Sequence, residues 1–125
     1  MGKLKRFEEM DVWVSSRSLV TGVYAVSKVP AFFRDFGLRD QIRRAPIRIA
    51  SNIAEGFESQ SNASFGRFLA SARGSAAEVR AQLYLALDLG YISTSDFANP
   101  ASQAESISRQ ITGLINYLKQ SPHCR

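Results

Sequence analysis

Cysteine and histidine are almost missing from this chain. Cys124 and His123 are the only examples of either, side by side at the C-terminal end. A lone cysteine excludes an intrachain disulfide framework, which suits a reducing, cytoplasmic setting. Residues 121–125 read as a disordered tail, and adjacent residues there lack the scaffold that metal ligation or nucleophilic catalysis needs. No catalytic residue, metal or cofactor is therefore expected. No apolar run approaches the roughly 20 residues that span a bilayer, so no membrane partner is expected. The basic N-terminus Met1–Phe7 has no apolar segment behind it and does not read as a secretory signal. Arg6 stands where myristoylation at Gly2 would need Ser or Thr. No stretch sustains a period of two, and no repeat, low-complexity tract or interdomain linker is visible. The 125 residues read as one domain, 1–125.

What is present is helical periodicity and arginine. Apolar content of 45% with 22% charged residues is that of a folded globular chain. The net charge is +5, and 12 of the 16 basic residues are Arg, whose planar fork of donors suits phosphate and carboxylate. Four segments carry the period of a helix that buries one side. The first spans about 10–29, with Val12, Ser16, Leu19, Val23 and Val26 inward and Val29-Pro30 as its stop. A short aromatic link, 31–37, is expected to plug the end of the core with Phe32, Phe33 and Phe36. The second helix spans about 38–58 on a stripe of Leu38, Ile42, Ala45, Ile49, Ile53 and Phe57. Pro46 lies inside it and predicts a bend. The third spans about 62–89, capped by Ser61 or Asn62 and stopped by Gly90. The fourth spans about 94–119. It starts at Ser93 or Thr94 with Pro100 inside, or else Asn99 caps it with Pro100 as its first residue. Short links between four helices predict an all-α, antiparallel, up-down-up-down four-helix bundle.

Polar residues on the second helix go beyond what a core helix requires. Arg39 and Arg43 fall on one flank of the apolar stripe, Arg44 and Arg48 on the other. Each pair is spaced i, i+4, so like charges repel by a few tenths of a kcal/mol. Asp40 is the only acid between positions 39 and 48. Three readings follow: carboxylate partners such as Glu55, Glu58, Glu78 and Asp88 in the bundle or across a subunit interface, phosphate from RNA or DNA, or a solvated face.

On the third helix, Ala72-Arg-Gly-Ser-Ala-Ala-Glu78 is small and flat. Gly74 costs about 1 kcal/mol relative to alanine in a helix interior, which close approach of another backbone would offset. Asn52, Glu55 and Gly56 end the second helix with similar chemistry. A polar packing or oligomer network of Asn52, Glu55, Arg73, Ser75 and Glu78 is expected, with Arg73 reaching Glu55 and Glu78. Arginine and glutamate together can also mark a catalytic carboxylate pair, but no nucleophile, metal set or phosphate loop accompanies them.

Gly37-Leu38, Gln41, Arg43-Arg44-Ala45, Asn52-Ile-Ala-Glu-Gly56 and Ala72-Arg-Gly-Ser75 with Glu78 carry a family resemblance. Together with Phe7, Asp11, Val12, Trp13, Tyr24 and Leu118 they resemble the four-helix-bundle family encoded in intervening sequences of bacterial 23S rRNA genes. That family is related to the accessory variability determinant proteins of diversity-generating retroelements. The resemblance implies an antiparallel bundle that assembles into a ring-like homopentamer. For the retroelement branch it implies a basic adaptor that binds nucleic acid and a reverse transcriptase. Arg48 and Ala50 stand where the family pattern often has Ser and Pro, with proline at Pro46 instead, so the bend shifts by a turn and a charge is added.

Three functions compete. The first is a non-enzymatic oligomer that binds RNA or DNA electrostatically through Arg39, Arg43, Arg44 and Arg48. Trp13, Tyr84 and Tyr91 would be its stacking residues, although rings at helical spacing are more often core. The second is a protein-interaction scaffold or adaptor, for example for a reverse transcriptase, with the arginines engaged at interfaces. An enzyme such as a nuclease comes last, because it needs clustered carboxylates or a histidine base.

Overall fold

The computed structural model describes residues 4–120. His123, Cys124 and the rest of the tail lie outside them. A 3-10 turn at Phe7–Glu9 leads into α1 (Asp11–Val26), a short α2 (Pro30–Arg34), α3 (Phe36–Phe57), α4 (Asn62–Asp88) and α5 (Thr94–Gln120). The fold is all-α, with four long helices. α1 packs on α3 and α5, and α4 packs on the same two, so the four stand around one core.

The predicted stripes of the first two helices are buried except for Val26 and Leu38, which are half-buried. Leu19, Val23, Ile42, Ile49, Ile53, Phe65, Leu69, Val79, Leu83, Ile107 and Ile111 are fully enclosed. Each such side chain stabilises the fold by about 1.5–3 kcal/mol relative to exposure. Ser16 is buried among them because its hydroxyl donates to the Trp13 carbonyl, 2.8 Å away. α3 continues unbroken through Pro46, whose ring is buried. Ser61 caps α4 by accepting from the Ser64 amide at 3.1 Å. Gly90 follows α4 with φ +76°, a conformation that glycine adopts without strain. α5 starts at Thr94 with Pro100 inside, and Ser93 Oγ accepts from the Asp96 amide at 3.0 Å. The alternative start at Asn99 is thereby excluded.

Two expectations need correction at the α1–α3 connection. α1 ends at Val26, three residues before the expected 29. Val29-Pro30 does stop it, but Pro30 also opens α2, since its missing donor is one a first helical turn leaves unpaired anyway. The link is therefore helical, and only one of its three rings is core. Phe32 is buried, whereas Phe33 and Phe36 are 42% and 62% exposed. α3 begins at Phe36, two residues early, because Asp35 caps it by accepting from the Leu38 amide at 3.2 Å.

Candidate functional site

The four arginines of α3 divide by flank, and the flanks meet different surroundings. The Arg39 and Arg43 flank turns toward α1 and α2. Arg39 donates from Nε to Asp40 Oδ1 at 2.9 Å and from a terminal nitrogen to the Phe33 carbonyl at 3.2 Å. Its guanidinium carbon lies 4.6 Å from the Phe33 ring centre and 4.8 Å from that of Phe36. Arg43 donates from Nε to Ser27 Oγ at 2.7 Å, and its guanidinium carbon stands 4.4 Å from the Tyr24 ring centre and 5.3 Å from that of Phe33. Ser27 is itself buried, and its hydroxyl donates to the Tyr24 carbonyl. The repulsion expected between Arg39 and Arg43 is offset by these rings, whose negative faces attract cations.

The other flank differs. Arg48 reaches across to α4, where a terminal nitrogen donates to Glu78 Oε1 at 2.8 Å, with both side chains 45% exposed. Arg44 is exposed and has no ion pair or hydrogen bond among the described residues. Tyr24, Phe33, Arg39, Asp40, Arg43 and Arg44 together line a shallow hollow of about 380 Å³.

Residues 28–44 hold five cations, Lys28, Arg34, Arg39, Arg43 and Arg44, against two acids. Both acids are already engaged. Asp40 pairs with Arg39, and Asp35 caps α3 while accepting from the Tyr91 hydroxyl at 2.8 Å. That hydrogen bond from Tyr91 to a carboxylate raises the phenol above its ordinary range, with burial adding to the shift. Tyr91 also stacks on Phe32, with ring centres 5.3 Å apart, so the acid that caps α3 ties it to the end of α4.

The expected network of Arg73 with Glu55 and Glu78 does not form within the chain. Arg73 donates instead to Thr112 Oγ1 on α5 at 3.0 Å, and Glu78 takes Arg48. Glu55 is exposed, Asn52 is half-buried and Ser75 is buried. Arg73 and Glu78 are five apart on α4, about 140° around the helix, so Glu78 meets Arg48 on α3 while Arg73 faces α5. Close approach also occurs elsewhere than expected. A Cβ built on Gly74 meets nothing within 4 Å, whereas one on Gly56 would lie 2.8 Å from both Phe65 Cδ1 and Phe68 Cβ. Gly56 is the residue that lets α3 meet α4.

Sequence reasoning missed the part played by Tyr24, Phe33 and Phe36 beside the arginines. One signal was available: Phe36 and Arg39 are three apart on one helix and share a face. Of the rings named for stacking, Trp13 packs edge-on against Phe7, and Tyr84, 54% exposed, leans on Phe97. Among the described residues no three of His, Cys, Asp and Glu gather as a metal site would require. No helix among them is long and apolar enough to cross a membrane.

A crystal structure of a protein of unknown function from the S23 ribosomal protein family of Bacteroides thetaiotaomicron has a similar fold. The TM-score is 0.76 at 23% identity, over 83% of this chain and 97% of that one. No curated protein matches in sequence. The family model described as 23S rRNA-intervening sequence protein matches residues 8–113, which takes in α1 through α4 and most of α5. The chain belongs to the 23S rRNA-intervening sequence protein family.

Proposed function

We propose that this protein is a non-enzymatic, cytoplasmic, oligomeric helical-bundle protein that binds RNA or DNA through phosphate contacts at the shoulder formed by α2 and the first half of α3. The observation that carries this reading is the unneutralised charge there. Five cations face two acids, both acids are held by Arg39 and by Tyr91 with the α3 amide, and Arg44 stands exposed without a partner among the described residues. Phosphate is the anion that such a surface recruits without needing base identity.

The same reading takes the bundle as antiparallel, up-down-up-down. Paired positions support it. Along α3 and α4, Asp35 meets Tyr91, Arg48 meets Glu78 and Gly56 meets Phe65, so partners descend as positions rise. On α4 and α5, Arg73 meets Thr112, Arg80 meets Glu105 and Tyr84 meets Phe97 in the same sense. A ring of five copies, as the family resemblance implies, would repeat the shoulder fivefold and convert weak phosphate contacts into avidity. Asn52 and Glu55, together with the exposed Gly74, would then belong to packing between copies, and the buried Ser75 to helix packing within each copy.

The test is affinity for RNA and DNA as a function of salt, with Arg44→Glu beside the natural sequence. Affinity is expected to fall steeply from low to physiological salt, and Arg44→Glu to weaken binding while native mass stays unchanged. Affinity that ignores salt rejects the reading. A second reading, a scaffold or reverse-transcriptase adaptor without nucleic-acid binding, is favoured by Tyr84, Leu85 and Leu89, all more than half exposed near the end of α4. In that case Arg44→Glu would weaken a protein complex and there would be no nucleic-acid binding to lose.

A further inference from the structure

Five side chains at the α2–α3 shoulder interleave in the spatial order Phe36, Arg39, Phe33, Arg43, Tyr24. The four successive guanidinium-to-ring distances are 4.8, 4.6, 5.3 and 4.4 Å, so ring and cation alternate without a gap. The stack is anchored along its edges, because Arg39 donates to Asp40 and the Phe33 carbonyl and Arg43 donates to Ser27. Its ends are open. Tyr24 is 37% exposed, and Phe36, at 62%, is the most exposed large apolar side chain among the described residues.

A phenylalanine left in water beside a row of cations has a surface that favours a planar partner carrying negative charge. The geometry points to single-stranded nucleic acid as that partner, with an unpaired base extending the stack on Phe36 and the neighbouring phosphates meeting Arg44 and Arg34. This rests on the nucleic-acid reading above and narrows it to one form of the ligand. A duplex presents phosphates to the same cations, but its bases are already stacked on one another and would leave Phe36 uncovered. The alternating stack supplies what single-strand binders use, aromatic platforms set among arginines, and it is already assembled without a ligand.

Fluorescence anisotropy with a labelled single-stranded RNA of about 15 nucleotides and a duplex of the same sequence tests this. The full chain is expected to bind the single strand more tightly. Phe36→Ala should weaken single-strand binding by about tenfold and change duplex binding by less than about twofold. Phe36→Trp should keep the single-strand preference, and Arg44→Ala should weaken both forms. Circular dichroism and native mass are measured on every variant. If both forms bind with salt-sensitive affinity but Phe36→Ala affects neither, or both equally, the stacking proposal is overturned while the electrostatic reading stands. If neither form binds, both fail. If Phe36→Ala changes the native mass, the ring faces another copy of the chain and the proposal is likewise overturned.

Discussion

Gly56 and Gly74 show how one residue type has opposite consequences in two helices. A methyl on Gly56 would press on the Phe68 Cβ, which cannot swing away without moving α4. Overpacking of this kind costs about 1–3 kcal/mol, against a helix-propensity gain of about 1 kcal/mol. Gly56→Ala should therefore be net destabilising, read as a lower urea midpoint. Gly74→Ala adds its methyl to open space and should raise stability by about 0.5–1 kcal/mol. A drop in stability or native mass for Gly74→Ala would mean that another copy packs there. Asp35 and Tyr91 yield a pH prediction. The phenol's folded value lies above its ordinary value of 10.0. The stabilisation from this hydrogen bond is thus full below about pH 10 and is lost as pH rises through the higher folded value. Ultraviolet titration should show a late phenol ionisation that is absent in Tyr91→Phe and moved earlier in Asp35→Asn. Asp35 caps α3, but the sequence pattern places it inside the link and starts the helix at 38, and nothing in the sequence links that acid to a tyrosine 56 positions away.

At the scale of elements, α3 was the most legible part of the chain, because its apolar stripe recurs every three or four residues and all but Leu38 are buried. α2 was not legible. Val29-Pro30 stops one helix and starts another, and five residues are too few for a periodic signal to choose between helix and loop. Taking that link for a core plug hid Phe33 and Phe36 as partners of the arginines. The Arg–Glu network does not form within the chain because Arg73 and Glu78, five apart on α4, face α5 and α3 respectively. The observed contacts separate the arginines by strength. Arg43→Ala removes a hydrogen bond to a buried hydroxyl and two ring contacts, and should cost about 2 kcal/mol. Arg48→Ala breaks a half-exposed pair and should cost less than about 1 kcal/mol. Denaturant midpoints of the two variants should fall in that order, and the reverse order would mean that the stack does not hold α1, α2 and α3 together.

For the whole molecule, the distribution of charge matters more than its sum. Two of the four α3 arginines belong to an aromatic stack, one joins α3 to α4, and Arg44 has no ion pair or hydrogen bond among the described residues. Because Arg39 and Arg43 have structural partners, reversing their charge would confound folding with binding, and Arg44 is the cleaner probe. Oligomerisation would place several such shoulders on one particle, so that a modest charge per chain acts cooperatively on a polyanion. The most direct measurement is the affinity of the intact protein for a single-stranded RNA across a salt series, for the natural sequence and for Arg44→Glu. The account predicts a linear fall of log affinity with log salt, and in Arg44→Glu a slope shallower by about one unit for each chain whose Arg44 had held a phosphate. Affinity that is absent at low salt, or present and indifferent to both salt and Arg44, would contradict it.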